Sequence, residues 1–239
     1  MKPIKVYWYN GEVNFGDMLT PIILNGLGIP FKQVKRGARS KLLAVGSIIY
    51  AARDNDVLWG TGTMRDKDFQ ATPGMKVLAV RGPKTREKIK GCFVPEIYGD
   101  PAILLPEIYT PKKLPRHEVG FIPHYVDKKH PDLLRNPDRF IIDVQQDPFK
   151  TIDEICSCDL IVSSSLHGII VAEAYGIPAV WIKLSDKLIG GSFKFNDYFL
   201  GSGREERNPD QIGDWHVIPK PVYEKEKLKQ ALLFYYGKN

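Results

Sequence analysis

Residues Asp159 to Val180 read DLIVSSSLHGIIVAEAYGIPAV, and this stretch decides the fold class. Leu160 to Val162 is a short apolar run of the kind that forms a buried strand. Ser163, Ser164 and Ser165 follow, and Leu166, His167 and Gly168 lead into helical spacing at Leu166, Ile169, Ile170 and Ala174. Gly176 stops that helix, and Pro178 to Val180 opens the next strand. A small polar turn between strand and helix leaves backbone N–H groups unpaired at the positive end of the helix dipole, which suits an anion. His167 at its mouth adds a group that exchanges a proton near neutral pH. In open α/β sheets, ligands bind beyond the carboxyl ends of the strands, where this turn lies.

Outward from that unit the same pattern repeats. Strands are predicted over Ile4–Tyr9, Phe31–Lys35, Leu42–Val45, Val57–Trp59 and Lys76–Val80, with helices over Gly16–Gly26 and Pro83–Lys90. Gly99-Asp100-Pro101-Ala102 then leads into the apolar run Ile103–Leu105. The proline- and lysine-bearing segment Pro106–Arg116 reads as a linker. Beyond it the pattern restarts with strands at Glu118–Pro123, Phe140–Val144, Leu160–Val162 and Ala179–Ile182, and a closing amphipathic helix over Glu224–Tyr236. The expected architecture is α/β, with two Rossmann-like domains facing a cleft: residues 1–108 and 117–239.

Composition narrows the function classes. At 239 residues, 43% hydrophobic and 26% charged, the chain is ordinary for a globular protein with substantial cores. A net charge of +6 favours anionic partners. No dense basic run or interleaved aromatic strand argues for nucleic acid, and no apolar run is long enough to span a membrane. The amino terminus lacks a signal-peptide core, so a cytoplasmic location is expected. The 3 cysteines, Cys92, Cys156 and Cys158, have no metal-ligand spacing and read as reduced structural thiols. Asp54-x-Asp56 and Asp66-x-Asp68 lie in charged segments without a supporting ligand, so no metal is expected. Walker, G-x-S-x-G and H-E-x-x-H motifs are absent.

Several residues at strand ends carry plausible chemistry. Asn14-Phe15-Gly16-Asp17 occupies the first strand-to-helix loop, where Asn14 can bind substrate and Asp17 can accept a sugar hydroxyl proton. Arg81 follows its strand with Gly82 beside it, a placement suited to a bidentate grip on carboxylate or phosphate. His124 ends the first strand of the second half.

Taken together, Asn14-Phe15-Gly16-Asp17, Val80-Arg81-Gly82, Gly99-Asp100-Pro101-Ala102 and Ser164-Ser165-Leu166-His167-Gly168 through Gly176-x-Pro178 resemble the polysaccharide pyruvyl transferases. The resemblance implies a fold like that of the GT-B glycosyltransferases. It also implies transfer of pyruvate from phosphoenolpyruvate to a sugar as a cyclic ketal, without metal or organic cofactor. It implies His167 as a catalytic group and Arg81 as a donor-binding arginine; the residues themselves suggest Asp17 as a second catalytic group and Asn14, His124, Ser164, Ser165 and Gly168 as substrate contacts. The saccharide acceptor is then free or lipid-linked at the inner membrane face, with the protein peripheral to that face. Many members carry arginine before L-H-G, where this chain has Ser165. The resemblance therefore implies a replacement cation among Lys183, Lys187, Lys194, Arg204 and Arg207, with Lys183 and Lys187 favoured by their position after a strand. Two other readings stand beside this one. Glu173-Ala174-x-Gly176-x-Pro178 also resembles the GT-B segment whose acid holds a ribose, which suits a nucleotide-sugar glycosyltransferase. A catalytically silent sugar-binding or scaffold protein of polysaccharide assembly is the other.

Overall fold

The computed structural model describes residues 2–237. Met1, Lys238 and Asn239, which fall at the extremes of the expected halves, lie outside the described residues. Two parallel sheets organise the chain. The first has five strands in the order β2-β1-β3-β4-β6: β1 (Ile4–Tyr7), β2 (Phe31–Gln33), β3 (Leu42–Leu43), β4 (Val57–Trp59) and β6 (Lys76–Ala79). The second has four in the order β11-β10-β8-β9: β8 (His117–Ile122), β9 (Phe140–Ile141), β10 (Cys158–Ser163) and β11 (Ala179–Trp181). Every pairing in both sheets is parallel. The architecture is therefore Rossmann-like α/β, as the strand–turn–helix repeats predict.

Strand composition explains this. β3, β4 and β11 bury every residue, which suits parallel strands covered on both faces rather than alternating ones. Helix α1 (Phe15–Gly26) covers the first sheet with Phe15, Leu19, Ile23 and Leu24, each at most 1% exposed. Full burial of one such side chain stabilises by about 1.5–3 kcal/mol. Helix α5 (Leu166–Ala174) is apolar nearly all round and correspondingly internal. It packs on β10 and β11 of its own sheet, on α4 (Pro148–Cys156), and on a 3₁₀ helix over Pro101–Glu107 from the first half. One apolar core consequently runs through both sheets, from Val6 to Ile169 and Leu232. At its far end α5 closes in a Schellman turn, with the Ile177 N–H donating to Ala172 O at 2.9 Å.

Where the structure departs from the sequence reading, local partners account for it. The helix expected over Pro83–Lys90 stops at Lys88 as α2 (Pro83–Lys88). Ile89–Lys90 instead form β7, paired with β5 (Phe69–Gln70). The apolar run Ile103–Leu105 lies in a 3₁₀ helix capped by Asp100, whose carboxylate accepts from the Ala102 N–H at 3.0 Å. Two further helices are the short α3 (Pro131–Leu134) and the closing helix α7 (Lys225–Tyr235). Although last in sequence, α7 packs against the first half, where Leu228 O accepts from Trp59 Nε1 at 2.7 Å.

Helix α6 (Phe193–Gly201) joins the halves from the other side. Its Asp197 accepts from Arg81 Nε at 3.0 Å, the Thr85 N–H at 2.8 Å and Thr85 Oγ1 at 2.7 Å. Both members of the ion pair are 0% exposed. Arg81 also donates to Ser47 Oγ at 2.6 Å and Thr63 O at 2.8 Å, so its guanidinium is fully engaged inside the protein. Removing one partner strands a buried charge. Asp197→Ala is expected to cost about 3–5 kcal/mol of unfolding free energy in a denaturant titration. A loss below about 1 kcal/mol would show that α6 docks without the pair.

Candidate active site

A parallel sheet opens a crevice where successive connections leave a strand in opposite directions. In the first sheet that point lies between β1 and β3, and in the second between β8 and β10. Both open onto one cavity of about 770 Å³, within the size range of small-molecule sites. The loop after β1 contributes Tyr9, Asn14 and Asp17, and the loop after β3 contributes Gly46 to Tyr50. From the second sheet come His124 and Tyr125 after β8, and Ser165, Leu166 and His167 after β10. Exposed Arg65, Lys67, Asp68 and Gln70 from the segment after β4, and buried Lys194 of α6, complete the polar wall.

The serine turn is built by its own hydroxyls. Ser163 Oγ donates within the turn, to Ile122 O at 3.0 Å or Ser165 O at 2.9 Å, and accepts from the Ser165 N–H at 2.9 Å. Ser164 Oγ accepts from the His124 N–H at 2.9 Å, tying the ends of β8 and β10 together. With the turn so held, the amides of Leu166, His167 and Gly168 form the first turn of α5, where a helix offers no acceptor of its own. Ser165 lies buried at the cavity wall in the N-cap position without a side-chain cap bond.

His167 sits where the two halves meet. Its Nε2 lies 3.3 Å from Asp100 Oδ2, a carboxylate that is 0% exposed and whose other oxygen caps the 3₁₀ helix. An imidazole held this way has one nitrogen committed to the carboxylate and a defined ring orientation. The ring's other nitrogen lies over Gly16. A Cβ built on Gly16 would come 2.0 Å from His167 Nδ1, so only glycine permits the approach. Beside it, Asn14 Nδ2 donates to Asp17 Oδ2 at 2.8 Å, and the Phe15 N–H donates to Val144 O of the second half at 2.7 Å. Burial pushes the Asp17 carboxyl above its usual range, against the opposing pull of Asn14, His167 and Lys194.

His124 is the second cavity imidazole. Burial, reinforced by Lys194 and His167, holds its pKa down to about 3, so it is neutral at ordinary pH. Its Nδ1 accepts from the Val126 N–H at 3.4 Å, which places the ring proton on Nε2.

Some sequence-predicted contacts lie elsewhere. Arg81 is sealed against Asp197, Ser47 and Thr63 and does not reach the cavity; the strand end that appears open in sequence is covered by α6. Ser164 and Lys183 line a separate cavity of about 330 Å³ beyond β11, where Lys183 pairs with Asp186 at 2.5 Å. Lys187 is exposed and lines neither cavity. Gly168 is buried in the wall, where a side chain would meet Ser163 Oγ at 2.6 Å. Of the five downstream cations, Arg204 is committed to Glu173 at 2.6 Å and Arg207 pairs with Asp210 at 3.6 Å. Only Lys194 among these five lines the larger cavity. Sequence reasoning assigned no role to Asp100, although it stands in the Gly99-Asp100-Pro101-Ala102 motif. Tyr9, Tyr50 and Tyr125 carried no signal at all.

Of the aspartates read as surface charge, Asp56 is instead buried in an ion pair with Lys41, Asp54 pairs with Arg39 at 3.4 Å, Asp66 pairs with Lys88, and exposed Asp68 lines the larger cavity. Burial pushes the Cys156 thiol up to about 12 and Cys158 up to about 11, consistent with inert thiols. Among the described residues no helix is long and apolar enough to cross a membrane.

Fold and site define a Rossmann-like α/β protein with one polar cavity at its sheet switch points, and comparison with known proteins supplies the family. Residues 74–186 match the polysaccharide pyruvyl transferase family, and the chain belongs to it. It is 37% identical over 223 residues to uncharacterized protein L143 of Acanthamoeba polyphaga mimivirus, covering 85% of this chain and 76% of that protein. It is also 29% identical over 213 residues to succinoglycan biosynthesis protein ExoV of Rhizobium meliloti (strain 1021), covering 83% of this chain and 64% of ExoV.

Two measurements check the geometry. Gly16→Ala is expected to displace the His167 ring and abolish most activity while leaving the fold assembled, as read by far-UV circular dichroism. For His124, the unfolded chain takes up a proton below pH 6.5 that the folded chain refuses until about 3. The unfolded state therefore binds more protons, and stability drops as pH falls through that window. His124→Gln should flatten the acid limb of a stability–pH profile; an unchanged limb would place the imidazole in water.

Proposed function

We propose that the chain transfers pyruvate from phosphoenolpyruvate to a saccharide, forming a cyclic ketal and releasing phosphate. Family membership supports the reaction class. The observation that carries the reading is His167, held by buried Asp100 at the first turn of α5 and sharing one cavity with Asp17. The halves, residues 1–108 and 117–239, then correspond to acceptor and donor sides of a GT-B-like arrangement. The two switch points opening on a shared cavity support that reading.

The donor's methylene carbon takes a proton while a sugar hydroxyl attacks the adjacent carbon. The bond from that carbon to the phosphate oxygen breaks, and a second hydroxyl closes the ketal. Each hydroxyl gives up one proton; one is matched by protonation of the methylene carbon and the other leaves with phosphate. This chemistry needs an acid, a base and donors for two anionic groups. His167 exchanges the proton, its orientation set by Asp100. Asp17, whose buried carboxyl has raised basicity, receives a hydroxyl proton. The α5 amides receive an anionic group of the donor. The reading calls for no metal or organic cofactor, because the enol ester is itself the activated species. A basic surface suits an acceptor linked to an anionic lipid at the inner membrane face, with the protein peripheral to it.

The nucleotide-sugar alternative requires Glu173 to hold a ribose. Glu173 is instead buried, with Arg204 on both carboxylate oxygens at 2.6 and 3.1 Å and Tyr198 OH donating to it at 2.6 Å. It does not line the cavity. A silent scaffold would have no use for a histidine buttressed by a buried carboxylate.

Incubation with phosphoenolpyruvate and a panel of glycosides, simple and lipid-linked, should yield a pyruvyl mass increment and one phosphate per ketal. His167→Ala is expected to lower turnover about a hundredfold or more. Release of nucleoside diphosphate from a nucleotide sugar, with no phosphate from phosphoenolpyruvate, would overturn the reading in favour of glycosyl transfer.

A further inference from the structure

Lys194 stands out from every other cation in the protein's interior. The residue is only 9% exposed and lines the large cavity. Buried Lys41 has Asp56, and buried Arg81 has Asp197, as counter-ions. Among the described residues Lys194 has no hydrogen bond and no ion pair; the Phe195 ring lies 5.5 Å from Nζ, and the Asp17 carboxyl acts on it only through space. Burial and the nearby Arg81 charge pull its ammonium down to about 8, outweighing the opposing Asp17 carboxyl, as expected of a buried cation without a contacting counter-ion. An unpaired interior ammonium is costly, and such groups persist where a ligand supplies the missing charge.

The position of Lys194 is held from behind. It is the second residue of α6, and one turn further on Asp197 clamps that helix to Arg81 and Thr85. The same cavity is lined by Ser165, Leu166 and His167 at the start of α5, whose first-turn amides lack intrahelical acceptors. An ammonium and a helix N-terminus sharing one cavity make a two-sided receptor for a compact dianion, the ammonium as point charge and the amides as oriented donors.

We propose that Lys194 and the first turn of α5 together hold the phosphate group of the donor, with Lys194 its principal cation. The proposal rests on the pyruvyl-transfer reading for the identity of the donor, but not for the existence of the anion site. Arg81 then acts as a positioning residue: through Asp197 it sets α6, and α6 sets Lys194.

The test uses the full chain in two arms. In the first, phosphoenolpyruvate and inorganic phosphate are titrated by calorimetry into the parent, Lys194→Met and Lys194→Arg. Donor affinity is expected to fall tenfold or more in Lys194→Met, and Lys194→Arg is expected to recover part of it. The second arm needs no variant: the parent is acetylated with and without each anion, and peptide masses report whether Lys194 is protected. Protection by phosphoenolpyruvate and by inorganic phosphate supports the proposal even if Lys194→Met fails to fold. Protection by inorganic phosphate in a parent that binds no phosphoenolpyruvate overturns the donor reading and leaves the anion site standing. Unchanged affinity in a folded Lys194→Met, or binding of either anion without protection of Lys194, overturns the proposal.

Discussion

The buried pair between Arg81 and Asp197 is the constraint on which the working part of this protein depends. An arginine at the end of β6 is held through Nε by a carboxylate on α6, while its remaining nitrogens reach Ser47 and Thr63 in the loops after β3 and β4. Three cavity-lining segments are thereby referred to one guanidinium. Such a pair is stabilising only relative to a broken one, because desolvating two charges costs much of what their attraction returns. What it contributes is geometry. A planar fork with directed donors sets where α6 lies, and α6 brings Lys194 to the cavity wall.

A second contact sets the other wall. Gly16 at the start of α1 and His167 at the start of α5 approach so closely that no side chain fits between them. Asp100, from the 3₁₀ helix that packs along α5, reaches the same imidazole. The histidine is thus oriented by residues from the first half while belonging to the second. The shared core from Val6 to Leu232 makes this arrangement stiff, since well-packed interiors resist small displacements. The imidazole at this junction is thereby held in one orientation.

The electrostatics divide the cavity. Asp17 is pushed up and Lys194 is pushed down by the same loss of water, and His124 is held neutral beside them. Groups with opposite shifts in one enclosure are how acid, base and anion-binding roles separate at a single pH. The buried Glu173–Arg204 pair, by contrast, satisfies itself and points to a structural role.

The strand–turn–helix periodicity was legible in the chain because period and burial are local properties. β4 was read to its exact ends, β6 to within one residue, and the Ser-Ser-Ser-Leu-His-Gly turn and the helix after it fell where the apolar spacing placed them. His167, Asp17, Asn14, His124 and Ser165 line the cavity, and each had announced itself by standing after a strand. Arg81 misled because its environment is decided by a helix more than a hundred residues away, as Asp197 lies at a sequence separation of 116. The same non-locality concealed α6, α7's return to the first sheet, and the role of Asp100, which pairs across 67 residues. Lys194 was one basic residue among several in a polar stretch. Sequence determines which side chains carry charge and which segments bury themselves. Which charge is left without a partner, facing a cavity, is decided only when distant segments close around it.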